Sequence, residues 1–483
     1  MNIELKKFIS NFSLTLLANI VSMIVSALVI LIVPAFIDIK EYGYWQLYVF
    51  FCSYTAYFSL GLTDGAYIRN GGKNYKKINK NLLRPQFWML FFLNVLTTIP
   101  ITIVFTLFYQ DINKSMAVFL ACISAIILIP RSLLTMIMLT TNRIKENTII
   151  IIIDRCIYFV IIGLCLLFGV KRFYFIIFAE LIAQLISTIV ATFYCKELVI
   201  GSIKNHLSEA FTDAKINVQV GIKIVLASLA SILVIGIIRF GIENHWGVEV
   251  FAKVSLTLSL CNLLLTFIKS ISIVIFPTLC NLSNDELKKC YINIQNLLAI
   301  LLLGSLILYY PAKMILSEWI PKYGESLRYM ALLFPISLFE SKSQLLLNTY
   351  FKVLRKEKSM LYINLFSLCM SFLSIAFATY VLNSLDFAIL SIVIVLGIRT
   401  ILSELYLTFV LKIDMNKEIA LDCISCLIFI YFSWYVGGAF GMIMYIIWYI
   451  FYIFYYKREY VEALIIKIDS ILNEKFGDNR WRY

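Results

Sequence analysis

Histidine is almost absent from this 483-residue chain, which carries His206 and His245 alone. The first falls in a polar loop and the second beside the end of an apolar run, and neither stands near a nucleophile or ligand cluster. Histidine-based metal sites and hydrolytic triads are thereby excluded. Charged residues are scarce too, at 15% against about 25% in soluble domains. No stretch of soluble composition is long enough for a separate domain. A phosphate loop of the GxxxxGKS/T type is also missing, since Gly71, Gly72 and Lys73 alone do not cradle a nucleotide. Acids are outnumbered by bases, 29 to 42, yet no nucleic-acid motif accompanies the excess. Basic loops facing an anionic membrane leaflet account for it.

What the chain has in abundance is apolar sequence, 61% of its residues. It reads as an all-α integral membrane protein. A membrane span needs about 20 apolar residues. Fourteen such runs occur, near 10–37, 43–63, 87–109, 115–140, 148–169, 173–195, 217–240, 249–277, 292–311, 328–351, 359–382, 386–411, 419–437 and 440–456. The first is preceded by a short basic start and has no small-residue cleavage site, which marks a retained span and not a signal peptide. The polar stretch 196–216 separates two halves, and Gly437 with Gly438 predicts a tight turn between the last two runs. Residues 461–472 place Val461, Leu464, Ile465, Ile468 and Leu472 on one face, predicting an amphipathic tail helix within 457–483.

Placing the N-terminus in the cytoplasm assigns about 27 lysines and arginines to inner segments and about 6 to outer ones, so both termini are expected inside. The outer segments are then short, the longest near 312–327. That excludes an enzyme whose catalytic machinery fills a large external loop. Eleven cysteines mostly lie in apolar runs, where cysteine behaves as a small hydrophobe. Cys423 and Cys426 form one CxxC with no second pair, which points to helix packing and not to metal or redox work.

Against this background thirteen ionisable residues interrupt the spans: Arg131, Arg155, Lys223, Arg239, Lys253, Lys269, Lys342, Arg399, Asp154, Glu180, Glu340, Glu404 and Asp422. Each costs roughly 2.5–3.5 kcal/mol at a helix centre. Depth sorts the cations. Arg239 and Lys253 stand near outer helix ends and are expected to snorkel. Arg155 has Asp154 beside it, and Lys223 is close to the inner face. Arg131 follows Pro130 in mid-span, where the proline removes a backbone donor. Glu340 and Lys342 are two residues apart, so they point to different helix faces and each is expected to meet another helix or a cavity. Lys269 and Arg399 are flanked by hydroxyl residues. Arg131, Lys269, Lys342 and Arg399 therefore form the candidate cationic site, with Lys223 and Arg155 as lesser members. Such cations suit phosphate oxygens. Glu180, Glu340 and Glu404 either neutralise neighbouring cations or carry a coupling ion.

Several local signatures run along the chain in order: Lys40-Glu41-Tyr42-Gly43, then Gly61-Leu62-Thr63-Asp64-Gly65 before a basic loop, Arg239-Phe240, Gly247, Phe251-Ala252, Phe276-Pro277 and Trp319-Ile320-Pro321-Lys322-Tyr323. With fourteen spans and a polar middle linker, the chain resembles the polysaccharide-specific flippases of the multidrug/oligosaccharidyl-lipid/polysaccharide (MOP) exporter superfamily, which serve O-antigen, lipopolysaccharide and capsule synthesis. The resemblance implies an N-lobe of six spans at 1–195, a linker at 196–216, a C-lobe of six spans at 217–411, two added spans at 412–456 and a cytoplasmic tail at 457–483. It also implies a location in the bacterial inner membrane, and an undecaprenyl-diphosphate-linked oligosaccharide as substrate. Alternating access would carry it from the cytoplasmic to the outer leaflet. No cofactor is expected. A proton or sodium gradient, or the membrane potential, would supply the energy. Membrane lipids, a polysaccharide polymerase and a chain-length regulator are the expected partners, and nucleic acid is not one. The alternatives are another exporter of the same fold, for drugs or for a lipid-linked peptidoglycan precursor, and a membrane-embedded glycan polymerase.

Overall fold

A computed structural model describes the backbone of residues 3–108, 110–203, 206–279, 283–458, 460 and 462, with side chains from 13 onward except 264, 266–279 and 284. Every regular element in that range is helical. Apolar runs of membrane length have this outcome built in, because hydrocarbon offers no partner to a backbone amide and the helix satisfies each one internally. The helices are α1 Ile3–Phe36, α2 Ile39–Thr55, α3 Leu62–Arg69, α4 Lys80–Phe108, α5 Ile112–Thr140, α6 Ile144–Leu167, α7 Phe173–Tyr194 and the short α8 Lys196–Val199. They continue with α9 Leu207–Trp246, α10 Val248–Leu279, α11 Asn284–Ser305, α12 Tyr309–Trp319, α13 Gly324–Leu333, α14 Ile336–Lys342 and α15 Asn348–Val353. The last four are α16 Glu357–Ala376, α17 Leu385–Leu411, α18 Asn416–Tyr431 and α19 Gly438–Phe451.

Eleven helical stretches among the described residues are long and apolar enough to cross a membrane, and twelve if 321–353, bent by 46° near Pro335, counts as one. The two other expected spans are present as different objects. The run at 43–63 is α2, a 3-10 turn at Ala56–Ser59 and α3, because Leu60 and Gly61 adopt left-handed backbone (φ 51° and 82°) and break the helix. The run at 249–277 is α10, most of whose second half lies outside the described side chains. The tail helix expected at 461–472 falls almost wholly outside the described residues, as does the rest of the sequence to 483.

Helix packing divides the chain into two units, residues 1–270 with 357–392, and 271–356 with 393–483. In the first, α5 packs against α2, α4 and α7, α6 against α1 and α7, and α9 against α3 and α16. Gly43, Gly61 and Gly65 of the signatures, and Gly221 of α9, sit where backbones touch. A Cβ on Gly65 would lie 1.9 Å from the Asn217 carbonyl oxygen, one on Gly221 2.0 Å from that of Gly61, and one on Gly43 2.6 Å from that of Val248. α9 begins at Leu207, inside the stretch read as linker. Its first turns are anchored by a polar knot, with Arg69 paired to Asp213 (2.8 Å) and donating to Asn217 Oδ1 (2.6 Å), while Gln86 donates to Asp213 (2.8 Å).

The second unit has an aromatic centre. Phe429 of α18 lies 5.6 Å from Tyr309, 5.2 Å from Tyr445 and 6.3 Å from Phe334 between ring centres. The Tyr445 and Tyr449 hydroxyls donate to the Leu303 and Ile300 carbonyls (2.9 Å each), fixing α19 to α11. Gly437 and Gly438 form the expected turn between the last two spans, both at positive φ (64° and 57°). A π turn at Ser343–Leu347 follows Lys342 directly. Such turns interrupt helices where a local arrangement requires it.

Candidate functional site

Arg131, Lys342 and Arg399 all carry acid partners. α5 and α17 are the two spans most enclosed by protein among the described residues, with 61% and 56% of their apolar stretch buried. Arg131 and Arg399 project from them into protein and not into lipid. Arg131 Nη1 lies 3.2 Å from Asp154 Oδ1 of α6 and donates to the Ser187 hydroxyl of α7, which itself donates to Asp154 (2.9 Å). Three helices thus meet on one guanidinium.

This arrangement corrects the pairing of Arg155 with Asp154. Adjacent residues on a helix diverge by about 100°, so Asp154 turns toward Arg131 while the half-buried Arg155 acts electrostatically on Glu180 of α7. Glu180 accepts from Gln184 Nε2 (3.4 Å), and Gln184 accepts from Ser124 (2.9 Å). Asp154, Arg155 and Glu180 therefore belong to one polar band across α5, α6 and α7.

In the second unit Glu340 and Lys342 do diverge, as their spacing requires. Glu340 accepts from Arg399 Nη2 (2.6 Å). Lys342 donates to Glu404 Oε1 of α17 (2.8 Å) and to Asp422 Oδ2 of α18. Gln295 Nε2 of α11 completes the group, 3.4 Å from Asp422. Lys342, Glu404 and Asp422 are each at most 2% exposed. Burial of that kind is tolerated for a charge whose donors and acceptors are matched.

Arg239 has no such partner among the described residues. It was expected to snorkel to an outer interface, and instead its guanidinium lies 5.1 Å from the ring centres of both Phe50 (α2) and Phe251 (α10). Nη2 donates to Ser255 (2.8 Å), and Nε is buried with no hydrogen-bond partner. The ionisable groups acting on it are the hydroxyls of Tyr42 and Tyr54. Among the described residues no carboxylate comes within ion-pair distance. Close approach makes the clamp, since Gly236, three residues before Arg239, admits the Tyr54 hydroxyl to within 1.8 Å of where a Cβ would stand. The signal in sequence was Phe251 and Ser255, four apart and so on one face of α10; Phe251 was read with Ala252 as a family signature, and Ser255 was not singled out.

Lys223 is exposed on α9, and Lys253 is half-buried on α10. Lys269 lies in α10 with its side chain outside the described residues. Glu180, Glu340 and Glu404, the candidate coupling acids, all stand beside a cation. Asp422, which the sequence named as a charge but not as a site, belongs to the most buried cluster of all.

No protein-family model and no curated protein matches the sequence. Solved structures do match in fold. A lipid II flippase, MurJ, in an inward closed conformation is 14% identical, with a TM-score of 0.65 over 92% of this chain and 99% of that one. A multidrug resistance MATE family transporter of the MOP superfamily in an inward-facing conformation is 13% identical, with a TM-score of 0.61 over 82% and 98%. An outward-facing MATE structure gives 12% and 0.54 over 83% and 95%. The chain therefore has the fold of MOP superfamily transporters. At these identities the likeness defines architecture, and the cargo is argued from the side chains.

Proposed function

We propose that this chain is a flippase that moves an anionic, lipid-linked oligosaccharide across the bacterial inner membrane, from the cytoplasmic to the outer leaflet, with both termini in the cytoplasm. The observation that carries the reading is Arg239, a guanidinium inside a membrane span, held by two aromatic rings and a serine, with no acid within ion-pair distance among the described residues. Ring quadrupoles contribute only about 0.5–2 kcal/mol, far less than desolvating the charge costs, so the site gains most when an anion arrives. A diphosphate suits the planar fork of arginine, which binds phosphate oxygens in pairs. Arg131, Lys269, Lys342 and Arg399, with Lys223 and Arg155 as lesser members, would offer the anion further contacts where their acid pairs open. Undecaprenyl diphosphate carrying an O-antigen or capsular repeat unit is the cargo that unites the anion with the fold.

A cationic drug would call for an acid where Arg239 stands. A lipid-linked peptidoglycan precursor is the second reading, favoured by the fold shared with a lipid II flippase. A polymerase and a chain-length regulator are the partners this function would use. Deletion of the gene distinguishes the cargoes. Cells should lose surface glycan and accumulate its lipid-linked repeat unit on the cytoplasmic side, and normal surface glycan would reject the assignment. Accumulation of the peptidoglycan precursor would select the second reading.

A further inference from the structure

Both ends of α9 are tied to earlier helices of the first unit by an ion pair. Near its start Asp213 pairs with Arg69 of α3 (2.8 Å). Thirty residues on, about 45 Å along the axis at 1.5 Å per residue, Glu243 pairs with Lys114 in the first turn of α5. A bilayer with its headgroups is about 40–45 Å thick, so the two pairs belong to opposite faces, and Glu243 falls at the outer one in the topology proposed above. Glu243 is fully buried, and beyond the Lys114 pair neither carboxylate oxygen has a hydrogen-bond partner among the described residues. A buried ion pair is well compensated only when further hydrogen bonds satisfy the remaining lone pairs. Glu243 is therefore an acid short of donors. One turn earlier on the same face, at the i,i+4 spacing that brings Cβ atoms to about 5–6 Å, stands Arg239, whose buried Nε lacks an acceptor. Two complementary ions are thus neighbours on one helix and are kept from each other. Lys114 holds the acid from α5, while Phe50, Phe251 and Ser255 hold the guanidinium.

We infer that Glu243 exchanges partners during transport, pairing with Lys114 while the outer end of α9 is closed and with Arg239 once that end opens. This rests on Arg239 as the anion site and names what empties it. Opening parts α5 from α9 at their outer ends and takes Lys114 from Glu243. A buried carboxylate without its cation is strongly unfavourable, and the cation one turn away is Arg239. The carboxylate then competes with the cargo's diphosphate for the same planar fork. The anion leaves on the outer side, and the Arg239–Glu243 pair is neutral until Lys114 returns and takes the acid back. Other groups nearby do not do this work. The Tyr42 and Tyr54 hydroxyls, which act on Arg239, are neutral phenols at pH 7. Asp111, three residues before Lys114, accepts from Tyr44 (2.6 Å) and from the Asn113 amide (2.9 Å), and so is occupied in capping α5. Glu243 is a positioning residue that acts on the cargo through Arg239.

Calorimetric binding of farnesyl diphosphate to the purified full-length protein in lipid nanodiscs tests the exchange, because Lys114→Met and Glu243→Gln remove the same ion pair and differ in whether the acid remains. Lys114→Met frees Glu243 for Arg239 and should weaken binding at least about tenfold. Glu243→Gln should bind at least as tightly as the native protein. In vesicles it should move a fluorescent lipid diphosphate between leaflets at least about tenfold more slowly at saturating concentration, since release has lost its competitor. The double variant Lys114→Met, Glu243→Gln should return to native affinity, and Lys114→Arg should keep it. If Lys114→Met does not fold, Glu243→Gln decides alone, and either weakened binding or an unchanged saturated rate overturns the exchange. An equal loss of affinity in both single variants overturns it too, marking the pair as structural while Arg239 remains the anion site. Native protein that binds no better than Arg239→Leu overturns the anion site itself, and this inference with it.

Discussion

Arg239 in the first unit and Lys342 in the second place the same charge in apolar surroundings and are held in opposite ways. Lys342 is a compact ammonium saturated by two carboxylates. Arg239 is a planar guanidinium between two phenylalanines with one serine hydroxyl. The residue types suit their places, since lysine concentrates charge at a point and arginine stacks on ring faces. The difference teaches that depth alone does not make an intramembrane cation a ligand-binding group. A cation already paired is structural or switches with its partners. One held by quadrupoles retains most of its capacity for an anion.

The contrast can be broken most forcefully at Lys342. Lys342→Met leaves two buried carboxylates without a cation, and should cost about 3–5 kcal/mol, read as a fall in the thermal unfolding midpoint of the purified protein. The triple variant Lys342→Met, Glu404→Gln, Asp422→Asn should recover most of that loss. At Arg239 the order reverses. Arg239→Leu should change stability by no more than about 1 kcal/mol, within the range of a cation–π contact. Transport should nevertheless fall at least about tenfold, as loss of hydrogen bonds to a charged group costs about 1.5–3 kcal/mol. Arg239→Lys, which keeps the charge and loses the fork, should lie between.

Two controls away from the buried cations sharpen the comparison. Gly65→Ala forces a methyl against the Asn217 carbonyl, 1.9 Å away, and should destabilise the first unit by about 1–3 kcal/mol through overpacking. The smallest effect is expected at the start of α11, where Ser283 and Glu286 form a capping box. Glu286→Ala should lower stability by about 1 kcal/mol and leave transport rates unchanged.

Much of the fold was legible because bilayer length and helix periodicity are local properties. Each apolar run corresponds to a helical stretch, and the turn at Gly437 and Gly438 followed from two adjacent residues that tolerate positive φ. The break at Leu60 and Gly61 was not legible, because a leucine in left-handed backbone has no sequence signature and the close approach of Gly61 to Gly221 of α9 is made by tertiary structure. The site was legible only in part. That Glu340 and Lys342 face apart followed from their spacing. Which acid meets which cation did not, since Lys342 and Asp422 are 80 residues apart and the pairing is made by tertiary structure. For the same reason Asp154 looked like the partner of Arg155 and is the partner of Arg131. Arg239 was misplaced because proximity to a helix end suggests snorkelling, whereas two aromatic rings from other helices hold the side chain within the protein.

The central claim is that an unpaired guanidinium, and not the total positive charge, recognises the cargo. Its most direct test is movement of a fluorescent undecaprenyl-diphosphate oligosaccharide between leaflets of vesicles containing either native protein or Arg239→Leu, with equal folded protein in each. The account predicts fast movement with the native chain and at least a tenfold slower rate with the variant. Equal rates in the two preparations would contradict it.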